Sequence, residues 1–258
     1  METGTLDLYG NLTASTGIVV STSGTSANSG ARTANATLNV RTGASLLSSS
    51  TTTVWSRGDL IVNGTAGAVV VENNGLLGGE GTVGAVTLKT GSFLNPGNSP
   101  GTLTAASSIW QGGSTYSWEI DNATGLAGTN WDVFSVTGAL DMSALSSSAQ
   151  MNLVLNSLSL ANFDTSSTYT WVIAKAGSFT GYNDDNINLT SLFDIDTANF
   201  NGGLLANLPT GGFQVVTGTD GSLRTLNLMA IPEPSTGTLL GFGLGGLVLT
   251  RLLRRKQS

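Results

Sequence analysis

Neither cysteine nor histidine occurs anywhere in the 258 residues. The first absence removes disulfide staples, thiol nucleophiles and thiolate metal sites. The second removes the commonest general base and metal ligand, so most catalytic toolkits are missing. Charge is also scarce, at 10%. Four of the ten basic residues, Arg251, Arg254, Arg255 and Lys256, form a basic tail, leaving six against 16 acidic residues upstream, a body of net charge −10. An acidic body repels phosphate backbones, which argues against a nucleic-acid partner. No basic region or apolar run follows Met1 to Gly4, so the start lacks the pattern of a secretory leader. A body bound for export therefore leads one to expect a missing upstream segment.

What is present is 35 glycines, much Thr, Ser, Asn and Val, and few helix-forming charged residues. These make short strands and tight turns. The expected class is all-β: a right-handed parallel β-helix (solenoid) over residues 1–105, a β-rich capping region over 106–230, either sandwich-like or further irregular coils, and a C-terminal transmembrane α-helix over 236–253. Disorder is the competing reading, strongest for Thr22 to Ala36. It usually couples low hydrophobicity to high charge, and this chain has neither.

Gly43, Gly67 and Gly91 are evenly spaced, each beside apolar alternation such as Leu38-Asn39-Val40 or Val69-Val70-Val71. One such unit holds roughly three strands of four to six residues, enough for one coil of a solenoid. An antiparallel meander gives a similar turn spacing and stays open as the alternative. Leu76-Leu77-Gly78-Gly79-Glu80-Gly81-Thr82-Val83-Gly84, followed by Asn95-Pro96-Gly97-Asn98-Ser99-Pro100-Gly101-Thr102-Leu103, resembles the closing repeat of bacterial autotransporter-associated β-strand repeat proteins. The resemblance implies a β-helical surface region and brings no catalytic residues with it.

Beyond Pro100 the spacing fades and aromatic strands follow, among them Thr115 to Ile120, Trp131 to Val136, Met151 to Leu155 and Tyr169 to Ala174. Glu119 and Asp121 share one strand face, with Asp132 expected opposite across a hairpin. Paired carboxylates invite a glycosidase reading, which needs two of them flanking a cleft. Solvent-facing strand residues and turn formers explain them more simply. Trp118, Trp131 and Trp171 are candidate sugar platforms, although such residues more often fill a sheet core. Asn183 to Asn186 and Asp194 to Asn199 carry oxygen ligands that calcium favours, yet the glycine and bidentate Glu of a calcium loop are absent. Neither a catalytic residue, a metal nor a cofactor is assigned.

The end of the chain is the most specific feature. Pro232-Glu233-Pro234 precedes an apolar, glycine-rich run from Gly237 to Thr250 and then the basic tail. This order resembles the PEP-CTERM sorting signal. The two prolines hold the motif extended and accessible. A helix over 236–253 would rise about 27 Å, a marginal span. Gly237, Gly241 and Gly245 recur every fourth residue, leaving a groove for another membrane helix, and the basic tail pins that end to the cytoplasm. The resemblance implies an exosortase-type transpeptidase as partner, a transient lipid anchor in the inner membrane, and release to the cell surface or an exopolysaccharide matrix. The expected function is that of a non-enzymatic structural or adhesive protein. The alternative is a carbohydrate-binding or carbohydrate-cleaving β-helix.

Overall fold

The computed structural model describes residues 4–21, 36–182 and 185–232. Within them the chain is all-β, with two short 3-10 turns at Thr190–Leu192 and Leu205–Asn207 and no α-helix. It advances in repeating units. The first holds β1 (Gly4–Leu8), β2 (Asn11–Ala14) and β3 (Ile18–Val20). The second holds β4 (Ala36–Val40), β5 (Ser45–Ser48) and β6 (Thr52–Val54), and the third β7 (Gly58–Val62), β8 (Thr65–Ala66) and β9 (Val69–Val71). From the fourth unit two strands suffice: β10 (Leu76–Gly79) and β11 (Thr82–Leu88), β12 (Phe93–Pro96) and β13 (Thr102–Gln111), β14 (Thr115–Asn122) and β15 (Val133–Ala144), β16 (Met151–Ala161) and β17 (Tyr169–Thr180). β18 (Phe193–Asn199) follows, and a hairpin of β19 (Phe213–Asp220) and β20 (Leu223–Ala230) ends the body.

Each strand pairs with its counterpart in the next unit. One sheet runs β1-β4-β7-β10-β12-β14-β16-β18, parallel at every step. The other runs parallel from β2 and β3 to β17, after which β20 joins β17 antiparallel and β19 joins β20. This pairing sets aside the antiparallel meander for everything before the last hairpin. β11 shows how three strands became two: its first half pairs with β8 and its second half with β9.

The structural repeat does not follow the interval between the evenly spaced glycines. Leu76 lies beside Asp59 and Phe93 beside Leu76, the same advance each time and a shorter one than from Gly43 to Gly67. Gly43, Gly67 and Gly91 occupy different corners: after β4, between β8 and β9, and before β12. The boundary expected at residue 105 falls inside β13, which pairs in parallel with β11 on one side and β15 on the other. The stretch 22–35 and the segment 233–258, with the expected helix 236–253, lie outside the described residues.

Alternation decides which face is buried. In β7 the buried positions are Gly58, Leu60 and Val62, with Asp59 and Ile61 turned outward. Parallel register stacks like on like, so Leu38, Leu60, Leu77, Leu94, Tyr116 and Leu153 form one continuous inward column. Each fully buried leucine is worth about 1.5–3 kcal/mol relative to exposure. The core lies between the two sheets, as Tyr116 of β14 shows by donating its hydroxyl to the carbonyl of Ile173 in β17 at 2.7 Å.

Candidate functional site

The last strand fixes where the body ends. β20 is an inner strand, with Ala230 paired to Tyr169 of β17 on one side and Phe213 of β19 on the other. One residue further, Ile231 donates its N–H to the Gly212 carbonyl at 3.0 Å and accepts from the Gly211 N–H at 2.7 Å. A Cβ on Gly211 would sit 2.6 Å from the Ile231 oxygen, so only glycine permits this approach. Pro232 is half-buried and has no N–H to continue the ladder. Beside this exit lies an open groove of about 580 Å³, lined by Phe193, Ile195, Leu208, Pro209 and Phe213 among others. Under it, Phe200 meets Phe163 and Phe213 edge-on at 5.2 and 5.1 Å, and Tyr169 stacks on Trp171 at 5.3 Å.

Residues 230–256 match the PEP-CTERM protein-sorting motif. No curated protein is similar enough to the chain to match it. The motif implies exosortase-dependent sorting of an extracellular protein, with export to the cell surface and the exosortase as processing partner. It opens on Ala230, the final residue of β20, so no spacer separates it from the folded body. Pro232 stands at the exit. Glu233, Pro234, Gly237, Gly241, Gly245, Arg251, Arg254, Arg255 and Lys256 lie outside the described residues. Among the described residues, no helix is long and apolar enough to cross a membrane. Gly211 and Gly212, which hold the exit, were missed by sequence reasoning. Their only sequence signal was the Pro-Thr-Gly-Gly turn before the strand at Phe213.

The carboxylates come together without forming a cleft. The chain doubles back after β14, so that Ile120 bridges Trp131 antiparallel and Asp132 donates its N–H to the Glu119 carbonyl. Asp132 therefore does lie opposite Glu119, but it is sealed from solvent. Its Oδ1 accepts the Gly101 N–H at 2.8 Å and its Oδ2 the Glu119 N–H at 3.0 Å. Burial pushes its pKa up to about 8, the Gly101 and Glu119 amides pulling against that shift and the Glu119 charge adding to it. Asp132 thus anchors the corner of residues 95–101, whose Ser99–Pro100 peptide is cis. A buried, fully occupied carboxyl has no path to a substrate.

The tryptophans are core residues, which corrects their candidacy as sugar platforms. Trp118 and Trp171 are buried, with ring centroids 5.8 Å apart, and Trp131 is 8% exposed. All three indole N–H groups donate to backbone carbonyls, of Asp132, Ala123 and Val172 respectively. Of the calcium candidates, Asp194 and Asp196 lie on the exposed face of β18, where Asp196 caps the Ala198 N–H at 2.9 Å. Asp185 pairs with Arg224, while Asn183 and Asp184 lie outside the described residues. Among the described residues, no three acidic side chains converge on a common point.

Proposed function

We propose that this chain is a non-enzymatic structural or adhesive protein of the bacterial surface, whose stacked parallel strands form a β-solenoid. An exosortase-type transpeptidase recognises Pro232 to Pro234 and removes a transient membrane anchor over 236–253, freeing the body for the cell surface or an exopolysaccharide matrix. The observation that carries the reading is the coincidence of the motif with the end of the last strand. Among the described residues, the last backbone hydrogen bonds of the body fall on Ile231, and the recognition segment begins at the next residue.

The non-enzymatic part draws support from the sealed Asp132 and from the buried tryptophans, which leave no aromatic platform beside the carboxylates. Kinship with autotransporter-associated β-strand repeat proteins belongs to the same proposal. It is supported by the parallel pairing of β10 with β12 and of β11 with β13, which stacks the two stretches that carry the resemblance in neighbouring units. Replacing Pro232, Glu233 and Pro234 by alanine in a bacterium that makes an exosortase is expected to keep the body in the membrane fraction. Unchanged release into the surface fraction would refute the proposal.

A further inference from the structure

Two hydrogen bonds set where the chain leaves the sheet, and the apolar run sets where it must arrive. Only residues 232–235 lie between Ile231, held by Gly211 and Gly212, and Thr236, where the expected anchor helix opens. The five residue steps from Ile231 to Thr236 span at most about 18 Å. With that helix seated in a bilayer, an anchoring reading on which this inference rests, the exit end of the body stands within about 18 Å of the headgroups.

That end differs in chemistry from the rest of the body. From Thr197 to Thr219 the sequence holds no Asp, Glu, Lys or Arg, although the body as a whole is strongly acidic. Leu204, in the loop before β19, is 64% exposed. Leu208, Pro209 and Phe213 line the open groove beside it. Phe163, Tyr169 and Phe213 are half-buried at the same end, their outer parts left to the surroundings. Among the described residues, carboxylates stand only at its margin: Asp164 of the neighbouring loop, kept ionised by hydrogen bonds from Ser166 and Ser167, and Asp194 and Asp196 on the outer face of β18. A charge-free loop with an exposed leucine and half-exposed aromatics suits the headgroup–acyl boundary, where aromatic residues collect.

We propose that the loop from Phe200 to Gly212 and the groove beside it rest on the lipid surface while the anchor is in place, with Leu204 entering the interface. The tether keeps this face at high local concentration over the bilayer, so a contact too weak to bind alone is populated. The body is thereby held with its exit end down, the recognition segment confined to the membrane plane where a membrane transpeptidase works.

The lack of native cysteine makes the test direct. Leu204→Cys and, at the far end, Tyr9→Cys in the full chain each take one environment-sensitive fluorophore. Tyr9 is 76% exposed and serves as the reference. The labelled chains are reconstituted into phosphatidylcholine vesicles containing lipid spin-labelled near the headgroup. The expected result is co-flotation of both proteins, with quenching at position 204 at least about threefold stronger than at position 9. Co-flotation with equal quenching overturns the inference and leaves the anchor intact. Failure to co-float overturns the anchoring reading and the inference with it. Shielding at position 204 that grows with protein concentration and persists without spin-labelled lipid assigns the face to a second copy of the chain, which also overturns it.

Discussion

The stack from Ala36 to Pro96 and the stack from Thr102 to Asn199 solve one problem with different materials. In the first, strands as short as Thr65–Ala66 and no longer than Thr82–Leu88 enclose a core of Val, Leu and Ala, and successive units follow one another by short steps. In the second, strands such as Thr115–Asn122, Val133–Ala144 and Tyr169–Thr180 are longer, and the core holds Trp110, Tyr116, Trp118, Phe134, Trp171 and Phe179. Longer strands enclose a wider cross-section, and interiors pack without voids, so rings replace methyl groups as the section grows. The wider units also tie their interior together with polar side chains, as in Tyr116 to Ile173 and the Asp132 anchor, where the narrow units are joined chiefly by their backbone ladders.

Removing the Asp132 anchor probes this contrast most strongly. Its pKa is raised in the folded state from the ordinary 3.8 to about 8. The folded protein therefore binds a proton that the unfolded chain has released, and stability falls as pH rises through that window, by about 1.4 kcal/mol per unit at most. Denaturant unfolding between pH 4 and pH 8 is expected to show this slope, and Asp132→Asn to flatten it. A slope unchanged by the substitution would show that the wide region does not depend on this buried acid. Trp118→Ala should cost about 4 kcal/mol and Leu77→Ala in the narrow stack about 3 kcal/mol. Equal losses measured by thermal unfolding would argue that ring size does not set the strength of the wider core.

How much of this the sequence disclosed differs between the same two regions. Alternation was readable throughout, because period-2 burial depends only on neighbouring residues: Thr115 to Ile120 was expected as a strand and lies within β14. The unit length was not read correctly, because attention fell on Gly43, Gly67 and Gly91, which serve different corners. Leu60, Leu77 and Leu94 recur at a constant, shorter interval and carried the true signal, since parallel register places them in one column. Past Pro100 the signal was buried under inserted loops. The steps from Thr115 to its partner Asn152, and from Asn152 to Asp194, are far longer than the step from Leu77 to Leu94, so the sequence read equally as a cap or as further irregular coils. At the sorting end the motif itself was plain, but Gly211 and Gly212 read only as a turn, because a clamp on a residue as distant along the chain as Ile231 leaves no local pattern.

Corner glycines offer the finest test. A Cβ on Gly81 would lie 2.3 Å from the Gly64 carbonyl oxygen of the preceding unit, forcing the units apart. Gly81→Ala is expected to cost about 2 kcal/mol, as an overpacked site does. At Gly43 the same atom meets nothing within 4 Å, and the penalty comes only from its φ of 82°. Gly43→Ala should lose about 1 kcal/mol. Urea titrations of the two variants giving the reverse order would mean that backbone conformation, not unit spacing, governs the corners.

The clasp on Ile231 also decides how the body bears load. A pull on the tail while the body is held in a matrix runs along β20, whose hydrogen bonds to β17 and β19 lie across the pull. Those bonds are stressed together in shear and not opened one after another like a zipper. The strand that hands the chain to its sorting signal is thus the one best placed to resist being drawn out by it.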